Sequence, residues 1–171
     1  DNLGFDRGDI VNLMAYGAQG EIANSVWIDG VNVSNPRSGD LTMGYSQDWI
    51  QEVHVTGIGA PAEYGGFTGV VANYTTRTGG NQFHGLFDTF FQNENLTWTN
   101  VPDSDRKKPF KTYDFTAQLG GPILRDKLWF FAGIQYPHTE TPTPGLDEIV
   151  TETFRKWIAK GTYQWNPDNT L

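Results

Sequence analysis

The sequence predicts a mainly β chain: a small α+β region, then antiparallel strands patterned as those of a transmembrane β-barrel. Three observations point there. Aromatic residues make up 14% and glycines number 20, whereas charged residues are only 19%, against about 25% in ordinary soluble domains. Four segments carry an apolar side chain at alternate positions over roughly 9–11 residues, the length and dyad pattern of a membrane-crossing strand. The connections between those segments run long, short, long, short, as when one barrel end carries extended loops and the other tight turns.

In chain order, Val26-Trp27-Ile28 is a short apolar run closed by the turn pair Asp29-Gly30, with Val31 and Val33 resuming the alternation. This reads as a hairpin. A short helix is expected from Tyr45 to Glu52, with Ser46 as N-cap and Trp49, Ile50 and Val53 on one face. Val53 and Val55 then alternate with His54 and Thr56 as a brief strand. Gly65, Gly66 and Gly69 mark sharp turns, Val70 to Thr76 forms a further β run, and Gly79-Gly80-Asn81 breaks the chain. Two domains follow, residues 1–80 and 81–171.

Beyond the break, Phe83, Gly85, Phe87, Thr89 and Phe91 share one face, with Gln82, His84, Asp88 and Gln92 opposite and Leu86 and Phe90 as exceptions. Tyr113, Phe115, Ala117 and Leu119 oppose Asp114, Thr116, Gln118 and Gly120. Leu128, Phe130, Ala132, Ile134 and Tyr136 line a third strand, which Trp129 and Phe131 make apolar on both sides, and Trp157, Ala159, Gly161, Tyr163 and Trp165 a fourth, opposed by Lys156, Lys160, Thr162 and Gln164. Loops are expected from Asn93 to Thr112 and from Pro137 to Thr153, with a short Pro122-containing turn between the second and third strands and a tight turn at Asn166-Pro167-Asp168-Asn169. Tyr136, Tyr163 and Trp165 sit at strand ends, where aromatic girdles meet the bilayer interface. A soluble β-sandwich alternates in the same way but joins its strands by more even loops.

Charge and chemistry exclude other classes. With 20 acidic against 12 basic residues the formal charge is −8, which argues against a nucleic-acid partner, whose binding rests on Lys and Arg at phosphates. Absence of cysteine removes disulfides, thiolate metal sites and cysteine nucleophiles. The longest apolar run, Leu128 to Ile134, falls far short of a membrane-spanning helix. No signal peptide is read at Asp1, so the chain is expected to be either cytoplasmic or a mature or excised piece of something larger. His54, His84 and His138 have no ligand-spaced neighbours, and Ser25, Ser34 and Ser38 lack a nucleophile's strand–elbow–helix setting. Asp103 and Asp105 stand beside Lys107 and Lys108, which disfavours a Ca²⁺ loop. The glycines precede no helix that would make a phosphate cradle. No catalytic, metal or cofactor site is expected, and the chain is not read as an enzyme.

Several segments resemble, in order, the plug domain and first barrel strands of TonB-dependent outer-membrane transporters. Val26-Trp27-Ile28-Asp29-Gly30-Val31 resembles the plug's VDGV strand, and Trp49 to Val55 its I-E-x-V-E-V element. Residues 60–73 resemble the P-A-x-Y-G…G-G-V-I-N segment, and Thr76-Arg77-Thr78-Gly79-Gly80-Asn81-Gln82-Phe83-His84-Gly85 the junction into the barrel. Leu119-Gly120-Gly121-Pro122-Ile123 with Asp126 to Phe131 resembles the next hairpin of the Oar-like branch, whose members often carry an N-terminal carboxypeptidase-regulatory-like domain. The plug Arg of an R-G-P turn is missing from Thr56-Gly57-Ile58-Gly59-Ala60-Pro61, leaving Arg77 as the cation at the family's second basic plug position.

The resemblance implies a receptor of the Gram-negative bacterial outer membrane, with its plug in the barrel lumen, short turns in the periplasm and long loops outside. Partners are TonB, outer-membrane lipid and a substrate of unknown class; no cofactor is implied. A plugged barrel of this type needs roughly 22 strands, so the chain is expected to be a piece of a longer polypeptide. Glu52, Glu63 and Arg77 are candidates for polar plug–barrel contacts, Gly65, Gly66, Gly69, Gly79 and Gly80 for plug turn geometry, and Trp98 and Phe110 for substrate contact. Two further readings remain open at this level: a secreted β-sandwich binding carbohydrate or mediating adhesion, and an outer-membrane scaffold or export component.

Overall fold

The computed structural model describes residues 24–34, 44–57, 59–61, 63–65, 67–96, 111–142, 148–166 and 169–170. The chain divides into two compact units, Asp1–Arg77 and Thr78–Leu171.

The first unit is built on a four-stranded mixed sheet of β1 (Ser25–Ile28), β2 (Val31–Asn32), β3 (Ile50–Thr56) and β4 (Val71–Thr76), in the order β2-β1-β4-β3. β1 and β2 form the expected hairpin, pairing Ile28 with Val31. Its turn has Asp29 at φ 48° and Gly30 at φ 80°, the positive angles that two-residue hairpins require. β1 also pairs in parallel with β4, so β4 is central and its Val71 and Ala72 are buried. The core gathers Val26, Ile28, Ala72 and Tyr74, flanked by Val33, Tyr45 and Ile50. Burial raises the Tyr74 phenol above its ordinary pKa.

Side chains fasten this sheet where strands end. The Asp29 carboxylate accepts from the Thr76 amide at 2.9 Å and from the Thr76 hydroxyl at 2.5 Å. The turn that starts β2 thereby holds the far end of β4. The Asn24 side-chain oxygen accepts from the Val70 amide at 3.0 Å, and the Ser34 hydroxyl accepts from the Val26 amide at 2.8 Å.

The helix expected from Tyr45 to Glu52 is a correction. Only Gln47–Trp49 coil, as one 3-10 turn, and Ser46 makes no side-chain cap bond. Ile50 already belongs to β3, which pairs with β4 from Ile50↔Thr76 through a bulge to Thr56↔Val71. Strand pairing of the β-branched Ile50, Val53 and Val55 overrides a weak local helix signal.

The second unit is an antiparallel sheet of β5 (His84–Asn93), β6 (Lys111–Leu124), β7 (Leu128–Pro142), β8 (Ile149–Thr153), β9 (Lys156–Asn166) and β10 (Asn169–Thr170). Its order is β10-β9-β7-β6-β5, with β8 paired to β7. Register joins the four alternating segments face to face: Phe87↔Ala117, Ala117↔Ile134 and Ile134↔Trp157 form one row. A second row joins Asp88↔Thr116, Thr116↔Gln135 and Gln135↔Lys156. The sequence-derived faces are therefore the faces of the sheet.

A second correction concerns Pro137 to Thr153, expected as a loop. β7 continues through Pro142, and β8 pairs with it from His138↔Thr153 to Pro142↔Ile149. Proline is tolerated because a strand residue's N–H and C=O point the same way, and the Pro137 carbonyl accepts from Phe154 at 3.1 Å. The missing donor thus faces the interruption between β8 and β9, where no ladder bond is lost.

Exposure across the second sheet inverts the soluble rule. Eight large apolar residues on the first face are exposed: Phe83, Phe87, Phe91, Leu119, Ile134, Trp157, Tyr163 and Trp165. Trp157 reaches 76% and Phe87 67%, while on the other face Thr116 and Gln135 are only 3% and 2% exposed. Burying one large apolar side chain is worth ~1.5–3 kcal/mol, so eight in water would forfeit stability on the scale of a whole domain's, about 5–15 kcal/mol. A face of this kind is satisfied by hydrocarbon.

Aromatic groups border it at both ends. Tyr163 and Trp165 meet edge to face at 6.1 Å beside the short-turn end, since Tyr163 pairs with Leu128. Toward the long connections Tyr113 stacks on Tyr136 at 6.4 Å and on His138 at 4.5 Å. The register separates the two belts by about ten residues, roughly 33 Å along a strand. A tilt of ~35–45° foreshortens this to about 25 Å, the height of an outer-membrane apolar band.

Two outcomes are expected. In the full-length protein, Asp29→Ala should speed hydrogen exchange of the Thr76 amide by about tenfold or more, as loss of a carboxylate acceptor costs ~1.5–3 kcal/mol. Asp29→Asn, which keeps one oxygen acceptor, should retain most protection. Ile134→Arg should destabilise the lipid-embedded protein by ~2–4 kcal/mol in reversible urea titration, the cost of a cation at mid-bilayer, while Ile134→Leu costs less than ~1.5 kcal/mol. Equal effects of the two Ile134 changes would contradict a lipid-facing position.

Candidate functional site

The second unit opens at Thr78, and its own sheet grips the residues that lead into β5. A Cβ at Gly79 would collide with the Phe130 carbonyl oxygen, and would lie 2.8 and 2.9 Å from the Phe130 nitrogen and the Gly121 oxygen. Only glycine lets backbone approach backbone so closely. Two residues on, Asn81 docks on the β6–β7 turn. Its side-chain oxygen accepts from the Asp126 amide at 2.9 Å and from the Trp129 indole N–H at 2.7 Å. Its amide nitrogen donates to the Asp126 carboxylate at 2.5 Å. Two donors converging on one oxygen fix which way the amide points.

The partner needs this support. Asp126 has φ 63°, left-handed backbone that costs a non-glycine residue roughly 1–2 kcal/mol. Asn81 offsets the cost by bonding both its amide and its carboxylate. The turn is closed locally by the Lys127 amide donating to Leu124 at 3.1 Å. Phe83 completes the junction. Its ring lies over Gly121, where a Cβ would collide with the ring carbons, and meets Phe130 edge to face at 6.4 Å.

The candidate contact residues fall on the first unit. Glu52 is exposed on β3 opposite Thr75. Arg77 is exposed just past β4, its amide donating to the Trp49 carbonyl at 2.8 Å. The β3–β4 pairing brings these two to one end of the sheet, whereas Glu63 is exposed in a separate turn. Of the turn glycines, Gly79 stands at a close approach, a Cβ at Gly65 or Gly80 would find nothing within 4 Å, and Gly69 is buried. Gly66, Trp98 and Phe110, like Asp103 and Asp105, lie outside the described residues.

On the polar face of the second sheet, Gln135 donates to the Asp114 carboxylate at 2.7 Å. The side-chain oxygens of Gln118 and Gln135 have no donor among the described residues, as befits a face that meets water or polar groups. At the long-connection end, the two His138 ring nitrogens lie 2.7 Å from the Thr153 hydroxyl and 3.1 Å from the Glu140 carboxylate, tying β7 to β8. No group of three or more metal-binding side chains occurs among the described residues.

The Asn81–Asp126–Trp129 cluster escaped sequence reasoning, being separated by 45 and 48 residues. An amide side chain directly after a double glycine, ahead of an alternating strand, was the one available signal. Gly79→Ala should lower the yield of folded protein in outer membranes, read as heat-modifiable mobility on a denaturing gel; Gly80→Ala, with open space around it, should not. Equal yields would refute the close approach.

Comparison with known proteins agrees with the inverted sheet. The model of an outer membrane beta barrel domain matches residues 75–163. The TonB-dependent transporter Oar of Myxococcus xanthus is 35% identical over 69% of this chain, which spans 12% of that protein's length. The fold is also that of the crystallised siderophore receptor PirA from Pseudomonas aeruginosa, with a TM-score of 0.53 at 24% identity, covering 88% of this chain and 25% of that one. Both relatives are transporters or receptors by name rather than enzymes, and a soluble sandwich is displaced as a reading. The chain belongs to the outer-membrane β-barrel family.

Proposed function

We propose that residues 1–80 form part of a plug and residues 81–171 the first strands of the barrel that encloses it, in a TonB-dependent transporter taking up substrate across the outer membrane. The observation that carries this reading is the second sheet's exposed apolar face, with the polar Thr116 and Gln135 buried on the other, following directly on a separate mixed sheet. The similarity to a TonB-dependent transporter supports it.

In this reading the Arg125–Lys127 turn faces the periplasm and the long connections face outward. Substrate binds from outside above the plug, and TonB pulls from the periplasm. Force can rearrange a plug only if its hold is marginal. The small first-unit core and its side-chain fasteners suit that requirement. Glu52, Glu63 and Arg77 supply polar contacts to the barrel wall, and exposed ion pairs of this kind are worth only ~0–1 kcal/mol each, weak enough to release. Trp98 and Phe110 in the first long loop contact substrate.

Detergent-extracted full-length protein should bind the purified periplasmic domain of TonB saturably; no saturable binding would refute the transporter reading. Replacing Glu52, Glu63 and Arg77 together by Ala should make residues 1–80 protease-accessible at lower urea while the barrel stays heat-modifiable. An unchanged midpoint would remove these residues from the plug–barrel contact.

A further inference from the structure

We infer that the Asn81–Asp126–Trp129 clamp is a mechanical stop, ending at residue 81 any tension carried along the chain from the plug and shielding the first barrel strand from it. The inference rests on the transporter reading for its purpose, but the stop itself follows from geometry.

β5 begins at His84, paired with Gly120, beside the β6–β7 turn. A pull on the chain from residue 80 would therefore load the β5–β6 ladder at its terminal rung. The part of such a pull that acts across the strand opens the rungs one at a time, whereas the part along the strand axis strains all rungs together. The end of β5 facing the junction is thus where such a load would enter the second sheet. Without an anchor, plug release would run on into the wall.

Three features stand ahead of that rung. Gly79 is pressed against the backbone of Phe130 and Gly121, leaving no slack. Asn81 engages Asp126 twice and Trp129 once, so tension passes into the β6–β7 hairpin rather than into β5. That hairpin is secured further along, where Gln164 of β9 donates to the Lys127 carbonyl at 2.8 Å. Phe83, seated over Gly121 with its ring against Phe130, fills the step between clamp and first rung. Asn81 is a positioning residue: it touches no substrate, and its role is to choose which bonds carry force.

The test is single-molecule pulling of the full-length protein in a lipid bilayer, held by its N-terminal end. The unsubstituted protein should release its plug and then halt at residue 81 before a separate, higher-force event extracts β5. Asn81→Asp places two carboxylates together and removes the donor to Asp126. In that variant the halt should vanish, plug and β5 leaving in one event longer by about 30 residues, roughly 100 Å of extended chain. The reciprocal pair Asn81→Asp with Asp126→Asn restores donor and acceptor in exchanged positions and should restore the halt.

A halt at residue 81 in the single variant, at unchanged force, would overturn the inference. Restoration failing in the double variant would overturn it too, pointing to damage at residue 81 rather than to the bond. The readout needs no TonB. Absence of TonB binding, with the halt lost in the single variant and restored in the double, would discard the transporter reading alone, and a halt that persists in the single variant with TonB binding intact would discard the stop alone.

Discussion

Everything in the second unit follows from one constraint: inside hydrocarbon no backbone N–H or C=O can be left to water, so the sheet must satisfy its own. β6 and β7 meet it by running paired along nearly their whole lengths, Lys111↔Glu140 to Leu124↔Leu128. Strand geometry then dictates the rest. Side chains alternate between faces, so a strand placed between lipid and lumen must be apolar outside and polar inside. The exposed row through Phe87, Ala117, Ile134 and Trp157 and the polar row through Asp88, Thr116, Gln135 and Lys156 are two sides of that single requirement. The one-residue irregularity at Pro122 falls beside the β6–β7 turn, outside the apolar band.

The first unit obeys a different logic. Its core is small, and its strand ends are held by polar side chains: Asp29 on Thr76, Asn24 on Val70, Ser34 on Val26. Polar fasteners exchange readily for water, each worth about 1 kcal/mol net, and more where a charge takes part. A dry interface of large apolar groups would hold far harder. Two sheets in one short chain thus differ in how they resist rearrangement, and the difference is written in the kind of bond each one uses.

What could be read in the sequence was what period two enforces. The outward faces of the four strands were legible residue by residue, because alternation is unambiguous once one face must be apolar. Strand ends were less so. β7 runs to Pro142 because Pro137 directs its missing donor at an interruption between β8 and β9, a fact about a neighbouring strand that composition does not contain. The helix expected at Tyr45–Glu52 failed for a similar reason: Ile50 is claimed by Thr76, 26 positions away. Glu52, Glu63 and Arg77 were located by resemblance, and the structure leaves all three exposed. The partners of Asn81 were not legible, because both lie more than 40 residues downstream.

That separation has a bearing on how the wall is assembled. A hairpin joined by three residues, Arg125 to Lys127, closes a short loop, while docking Asn81 on Asp126 closes one of 45 residues. Loop-closure entropy rises with length, and Asn81 has no surface to dock on until the Asp126 turn exists. The β6–β7 hairpin must therefore form first, with the junction seated on it afterwards. In time, the segment that precedes the barrel in sequence is fixed to it only after the second and third strands have found each other, so the chain lays its threshold after part of the wall it leads to.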